Sequence, residues 1–145
     1  MKIELRNTAY DPFLEIRDYQ AGTAFTVQFG ASSIFVGTMR DFNDGEPVTS
    51  MFLEHYPGMT EQYLQRIANE ATSRWDVIDL LLLHRVGEIQ PADPIVTIAV
   101  WSAHRNEAFS ACRYLIEELK SRAPFWKKER LQDSERWVTH NTPSD

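Results

Sequence analysis

Four cations, Lys120, Arg122, Lys127 and Lys128, crowd around Pro124, Phe125 and Trp126 in the segment LKSRAPFWKKE. A cluster of cations is ordinarily a solvated helix end or loop. The proline and the two large aromatics are poor choices for such a loop, and they suit a segment that fixes amines against an apolar wall. A lysine beside other cations in a partly desolvated place loses some preference for its charged form, which fits it for proton transfer or nucleophilic work near neutral pH. Pro124 ends the preceding helix, because the residue before proline is pushed out of the α region. Lys120 then lies in the last helical turn and Lys127 beyond the break, on a segment able to fold back.

A second candidate is SAHR, which places His104 and Arg105 where a strand hands over to a helix. Backbone N–H groups and the positive dipole end can bind an anion there, and Arg105 can add a bidentate clamp. Ordinary capping with a surface arginine explains the same residues. Arg40, between FVGTM and a turn-rich loop, is either a further anion ligand or a solvated loop residue. Cys112 falls on an apolar helical stripe and reads as a small core residue rather than a nucleophile. Four histidines and one cysteine show no metal-ligand spacing, and no Walker loop, G-x-S-x-G elbow or G-x-G-x-x-G is present, so no metal or cofactor is expected.

The formal net charge of the 145 residues is -6, which disfavours indiscriminate binding to nucleic acid or an anionic membrane. Residues 101–130 nevertheless carry seven Lys/Arg against four Glu, net +3, leaving -9 on the rest. Basic charge this local suits one small anionic ligand. No apolar run reaches membrane-spanning length and the start turns polar before a signal-peptide core can form, so a cytoplasmic protein is expected. The length predicts a single domain over 1–145, with a loose tail from about residue 139.

The elements that must position these residues follow from periodicity and turn chemistry. TAFTVQF and SSIFVGTM read as strands separated by Gly30, or as one strand broken by a bulge, and TSMFLEHY as a returning strand. A helix is predicted from Thr60, as N-cap, to about Trp75. DVIDLLLLHRVG and DPIVTIAVWSA read as buried strands connected by EIQPAD. A second helix is predicted from about Arg105 to Ser121, and DSERWVTH as a last short strand. The order favours an α+β fold, mainly antiparallel, with two main helices.

Read together, LEHYPGMTE, HRVGEIQPAD, SAHRNEAF and LKSRAPFWKKE, in that order and spacing, closely resemble the large, catalytic subunit family of molybdopterin synthase. The likeness runs from about Ser32 through Val138. It implies an α/β hammerhead fold and a homodimer of large subunits within a heterotetramer. A small ubiquitin-like subunit at each end threads a C-terminal Gly-Gly thiocarboxylate into the large one. It implies sulfur transfer to cyclic pyranopterin monophosphate, forming the molybdopterin dithiolene, with no metal and no cofactor. The family's catalytic lysine falls on Lys120 and its second functional lysine on Lys127. Its substrate-pocket residues fall on Arg40, His104 and Arg105. Phe125 and Trp126 are candidates to line the groove for the partner's tail, or else core residues of the C-terminal segment. The competing reading is a non-catalytic module with a basic pocket for a phosphorylated small molecule or an RNA end.

Overall fold

The computed structural model describes residues 1–24, 27–122 and 124–138. Its organising strand is the apolar run VIDLLLLHR, β5 (Val77–Arg85), which lies between β1 (Lys2–Arg6), parallel to it, and β7 (Pro94–Ser102), antiparallel. β2 (Ala31–Thr38) closes the far edge of this four-stranded sheet. Successive side chains of a strand point to opposite faces, so a run of four leucines demands cover on both. Leu80 and Leu82, with Val96, Ile98 and Val100, meet Leu64, Ile67 and Ala71 of α2 (Met59–Arg74) and Leu115 and Leu119 of α3 (Arg105–Arg122). On the other face Leu81, Leu83, Ala99 and Trp101 meet Ile16 of α1 (Pro12–Ala21).

The second sheet runs β3 (Phe42–Asn43), β4 (Glu46–His55), β8 (Phe125–Leu131) and β9 (Glu135–Trp137), all antiparallel, with β6 (Gly87–Ile89) also paired to β4. Val48, Met51 and Leu53 bury one face of β4 with Met39, Val86 and Ile89. The fold is α+β and mainly antiparallel, as expected, and among the described residues a third, shorter helix, α1, accompanies the two main ones.

Four local expectations need correction. The described part of TAFTVQF is turn and irregular backbone, with Phe25 and Thr26 outside the described residues, and β2 begins only at Ala31. Gly30 docks instead: its N–H donates to the Ser102 carbonyl at 3.0 Å, while Val27 is 91% exposed. The unpredicted α1 is started by Asp11, whose carboxylate accepts from the N–H groups of Phe13 and Leu14, with proline in the first turn. Its apolar stripe is too thin to read, since only Pro12 and Ile16 are buried. α2 is capped by Gly58 at φ 83, not by Thr60, which lies inside the helix, wholly buried. EIQPAD is not simply a connection, because β6 takes its first residues into the second sheet. The loose tail from about residue 139 lies outside the described residues.

Candidate functional site

The site forms where α3 ends and the chain turns back along β4. Thr60 fastens that reversal: its hydroxyl accepts from the Tyr56 N–H at 3.1 Å and donates to the Pro124 carbonyl at 3.5 Å. β8 then runs antiparallel to β4, with Phe125 opposite His55 and Lys127 opposite Leu53. Strand alternation puts Phe125, Lys127 and Glu129 on one face of β8 and Trp126, Lys128 and Arg130 on the other. The inner set packs toward α3 and β5. The outer set is surface: Lys128 pairs with Glu135 at 2.8 Å and lies over the Trp137 ring, and Arg130 reaches Glu135 at 3.5 Å. Arg122 pairs with Glu118 one turn back at 3.6 Å. Of the four clustered cations, therefore, two are surface charges with carboxylate partners, and only Lys120 and Lys127 turn inward.

Those two amines meet as hydrogen-bonding neighbours, Lys120 from the last turn of α3 and Lys127 from β8. Burial is the main influence on both, and it disfavours charge. It lowers Lys127 to about 8, helped by the charge of Lys120 and opposed by Glu129. Lys120 also lies below the usual lysine value, through burial and the nearby guanidinium of Arg40, while the bond to Lys127 supports its proton. Such a pair is best satisfied when one amine is neutral, so that the ammonium donates to a lone pair. Lys127 is the member that gives up its proton first.

Beneath the pair lies His84 of β5, buried, with its ring stacked on Phe125 and its Nδ1 2.8 Å from the Arg85 carbonyl. A carbonyl only accepts, so Nδ1 carries the hydrogen. Burial lowers this imidazole to about 3 against the support of that carbonyl, and Lys127 and Lys120 lower it further. The ring is therefore neutral, with a bare lone pair on Nε2. On the strand itself, the buried Glu129 carboxylate accepts through Oε1 from Arg136 Nε at 3.0 Å and Asn43 Nδ2 at 3.2 Å. Sequence reasoning passed over these groups. His84 sits in the motif HRVG but reads there as one more residue of a buried strand, and the link from Glu129 to Asn43 spans 86 positions.

The expected substrate residues divide. Arg40 follows β2, lies over the Phe42 ring at 5.1 Å, and is close enough to Lys120 to disfavour its charge. His104 and Arg105 stand exposed at the opposite end of α3. Fifteen residues of helix put them about 22 Å from Lys120 along its axis, so one chain does not bring them to the lysines. Phe125 and Trp126 do not line one groove. Phe125 packs into the core between the two sheets, and Trp126, 51% exposed, faces away from the lysines. Cys112 is buried on α3 with its thiol pushed up by burial, which suits the core role expected of it.

The family model described as MoaE protein matches residues 11–122. The chain belongs to the MoaE family. Curated relatives carry the name molybdopterin synthase catalytic subunit. That of Ralstonia nicotianae is 50% identical over 136 residues, covering 94% of this chain and 76% of the relative. That of Pseudomonas aeruginosa is 49% identical over 138 residues, covering 95% and 90%. Among solved structures, molybdopterin synthase from Staphylococcus aureus superposes with a TM-score of 0.84 at 32% identity, covering 97% of this chain and 99% of that one. The MoaE protein from Burkholderia ambifaria gives 0.80 at 42%, covering 99% and 92%. MoaE membership bears out the fold expected from the sequence and supports the function of a molybdopterin synthase catalytic subunit, a sulfur-transferring enzyme. It disfavours the non-catalytic binding module.

Proposed function

We propose that Lys120 and Lys127 are the catalytic groups of this chain in sulfur transfer from a thiocarboxylated small subunit to cyclic pyranopterin monophosphate. The observation that carries the reading is the convergence of two partly desolvated amines, one from a helix end and one from a strand, beside Arg40. The relatives are named as catalytic subunits, which supports a further subunit as partner; in this reading that partner supplies the sulfur. The thiocarboxylate sulfur attacks a pyranopterin carbon and displaces an oxygen from it, which departs with a proton from the lysine pair; water then hydrolyses the acyl-thioester link between partner and substrate, leaving the sulfur on the substrate and a carboxylate on the partner. Charge develops on oxygen in both steps. The Lys120 ammonium, held in a water-poor place, stabilises that charge better than solvent can. Lys127, as the more readily deprotonated amine, exchanges a proton with it and holds the substrate or the partner's terminus. Arg40 binds phosphate.

His104 and Arg105 serve the same pocket only if a second copy of the chain presents its α3 N-terminus to it, which the proposed homodimer within a heterotetramer allows. A Gly-Gly tail reaches the lysine pair from outside the core, with Phe125 packed beneath the pair as support rather than as a groove wall. Among the described residues no helix is long and apolar enough to cross a membrane, and a cytoplasmic setting suits a thiocarboxylate donor.

The test mixes the purified chain with thiocarboxylated small subunit and cyclic pyranopterin monophosphate, and measures dithiolene product through its fluorescent oxidised derivative. Lys120→Ala is expected to lose at least about 100-fold in rate with an unchanged circular dichroism spectrum. Near-normal turnover by that variant overturns the assignment.

A further inference from the structure

Lys127 has a buried carboxylate two residues along its own strand, on the same face, yet it sits at about 8, well below an ordinary lysine. An anion on the same face favours an ammonium, and Glu129 does oppose the lowering that burial and Lys120 impose; how strongly it can do so depends on what else holds the carboxylate. The structure shows where the carboxylate is engaged. Glu129 and Arg136 are directly opposite in the β8–β9 ladder, and Oε1 takes Arg136 Nε at 3.0 Å. Asn43 Nδ2 donates to the same oxygen at 3.2 Å. Arg136 in turn donates through its second terminal nitrogen to the Asn43 carbonyl at 2.8 Å and meets Glu46 at 3.5 Å. One guanidinium thus joins the β3–β4 hairpin, which follows directly on Arg40, to the strand that carries Lys127.

We propose that Arg136 is a positioning residue for the lysine pair: together with Asn43 it holds the Glu129 carboxylate in the β8–β9 ladder and keeps that buried anion from pairing with Lys127. The inference rests on the catalytic reading of Lys127 above and deepens it. Among the described residues, the titratable and charged groups that act on Lys127 are Lys120 from α3, His84 from β5 and Glu129 from its own strand, with Leu53 opposite on β4; Arg40 acts on Lys120 from the loop after β2. Lys120 and Arg40 are cations and His84 is neutral. Glu129 is the one anion in this set, so how it is engaged governs how readily Lys127 yields its proton.

The test measures the titration of Lys127 directly, by competitive acylation with acetic anhydride across pH and mass spectrometry of the labelled peptide, beside the pH profile of sulfur transfer. In Arg136→Gln, Glu129 is released and the Lys127 midpoint is expected to rise by about one pH unit, with the corresponding limb of the rate profile moving the same way. In a Glu129→Gln background the same replacement is expected to move the midpoint little, because the effect travels through Glu129. Arg136→Lys keeps the charge without the planar fork and serves if Arg136→Gln does not fold; it is expected to give a smaller rise of the same sign. An unmoved midpoint, or an equal shift with and without Glu129, overturns the proposal. A midpoint that moves while the rate profile does not follow, in a chain active in sulfur transfer, sustains the clamp and overturns the catalytic role of Lys127 on which it was built.

Discussion

The imidazole of His84 lies flat on the ring of Phe125, centroids 4.0 Å apart and planes 12° from parallel. This contact joins the two sheets under the lysine pair, where burial keeps the histidine neutral. The consequence for stability has a definite sign. In the unfolded chain His84 titrates near 6.5, while in the fold it is held down to about 3. Between those values the unfolded state binds the extra proton, so the stabilisation present above pH 6.5 drains away as pH falls, by about 1.4 kcal/mol per pH unit. Urea midpoints of the wild type are therefore expected to fall from pH 7 to pH 5 more steeply than those of His84→Phe. That variant keeps a stacked ring but starts lower, because the Arg85 carbonyl loses its donor. Parallel curves for the two proteins would show that His84 titrates in the fold as it does in the unfolded chain.

Arg40 offers a cleaner electrostatic test, being exposed and apart from the core. Its guanidinium disfavours charge on Lys120. Removing a positive neighbour raises a lysine's pKa, leaves less free amine at a given pH, and slows acylation. Arg40→Gln is expected to slow acetylation of Lys120 at pH 8 by about two- to threefold, as for a modest change in a screened interaction. Surface lysines such as Lys2 serve as internal standards. Unchanged Lys120 labelling would place Arg40 too far from the pair to act on it.

How much of this was legible in the sequence depended on whether the signal was local. The β5 and β7 runs, α3 and the Pro124 break are written in consecutive residues, and each appears within a residue or two of where periodicity put it. The cluster holding Lys120 and Lys127 stood out because a proline between cations is a local oddity, and the resemblance to the family picked these two out of the four. The separation of Phe125 from Trp126 follows from strand alternation and was missed only because the segment was not read as a strand. Thr60 was misjudged because capping preference cannot tell an N-cap from a buried threonine when Gly58, at positive φ, already turns the chain into the helix. The Glu129, Arg136 and Asn43 clamp had no local signature at all. It exists through the pairing of β8 with β9 and the placing of a hairpin some 86 residues earlier in the chain. The distance from Arg105 to Lys120 was legible in principle, since one helix joins them, but only once the helix is treated as a ruler.

Thr60 gives the last prediction, and it concerns what holds the site in place. Its side chain is wholly buried, accepting from the Tyr56 N–H and donating to the Pro124 carbonyl, while its own N–H donates to the Tyr56 carbonyl at 2.9 Å. Valine matches its shape but leaves a part-buried donor and a carbonyl without their partner, at a cost of about 1 kcal/mol or more. Thr60→Val is expected to lower the thermal midpoint by about 4 °C or more, whereas Thr60→Ser, which keeps the hydroxyl, recovers most of the loss. Because Pro124 directly precedes β8, the valine variant should also lose sulfur transfer at temperatures where it remains folded. Equal midpoints for the serine and valine variants would mean that the methyl group, not the hydroxyl, makes Thr60 fit this turn.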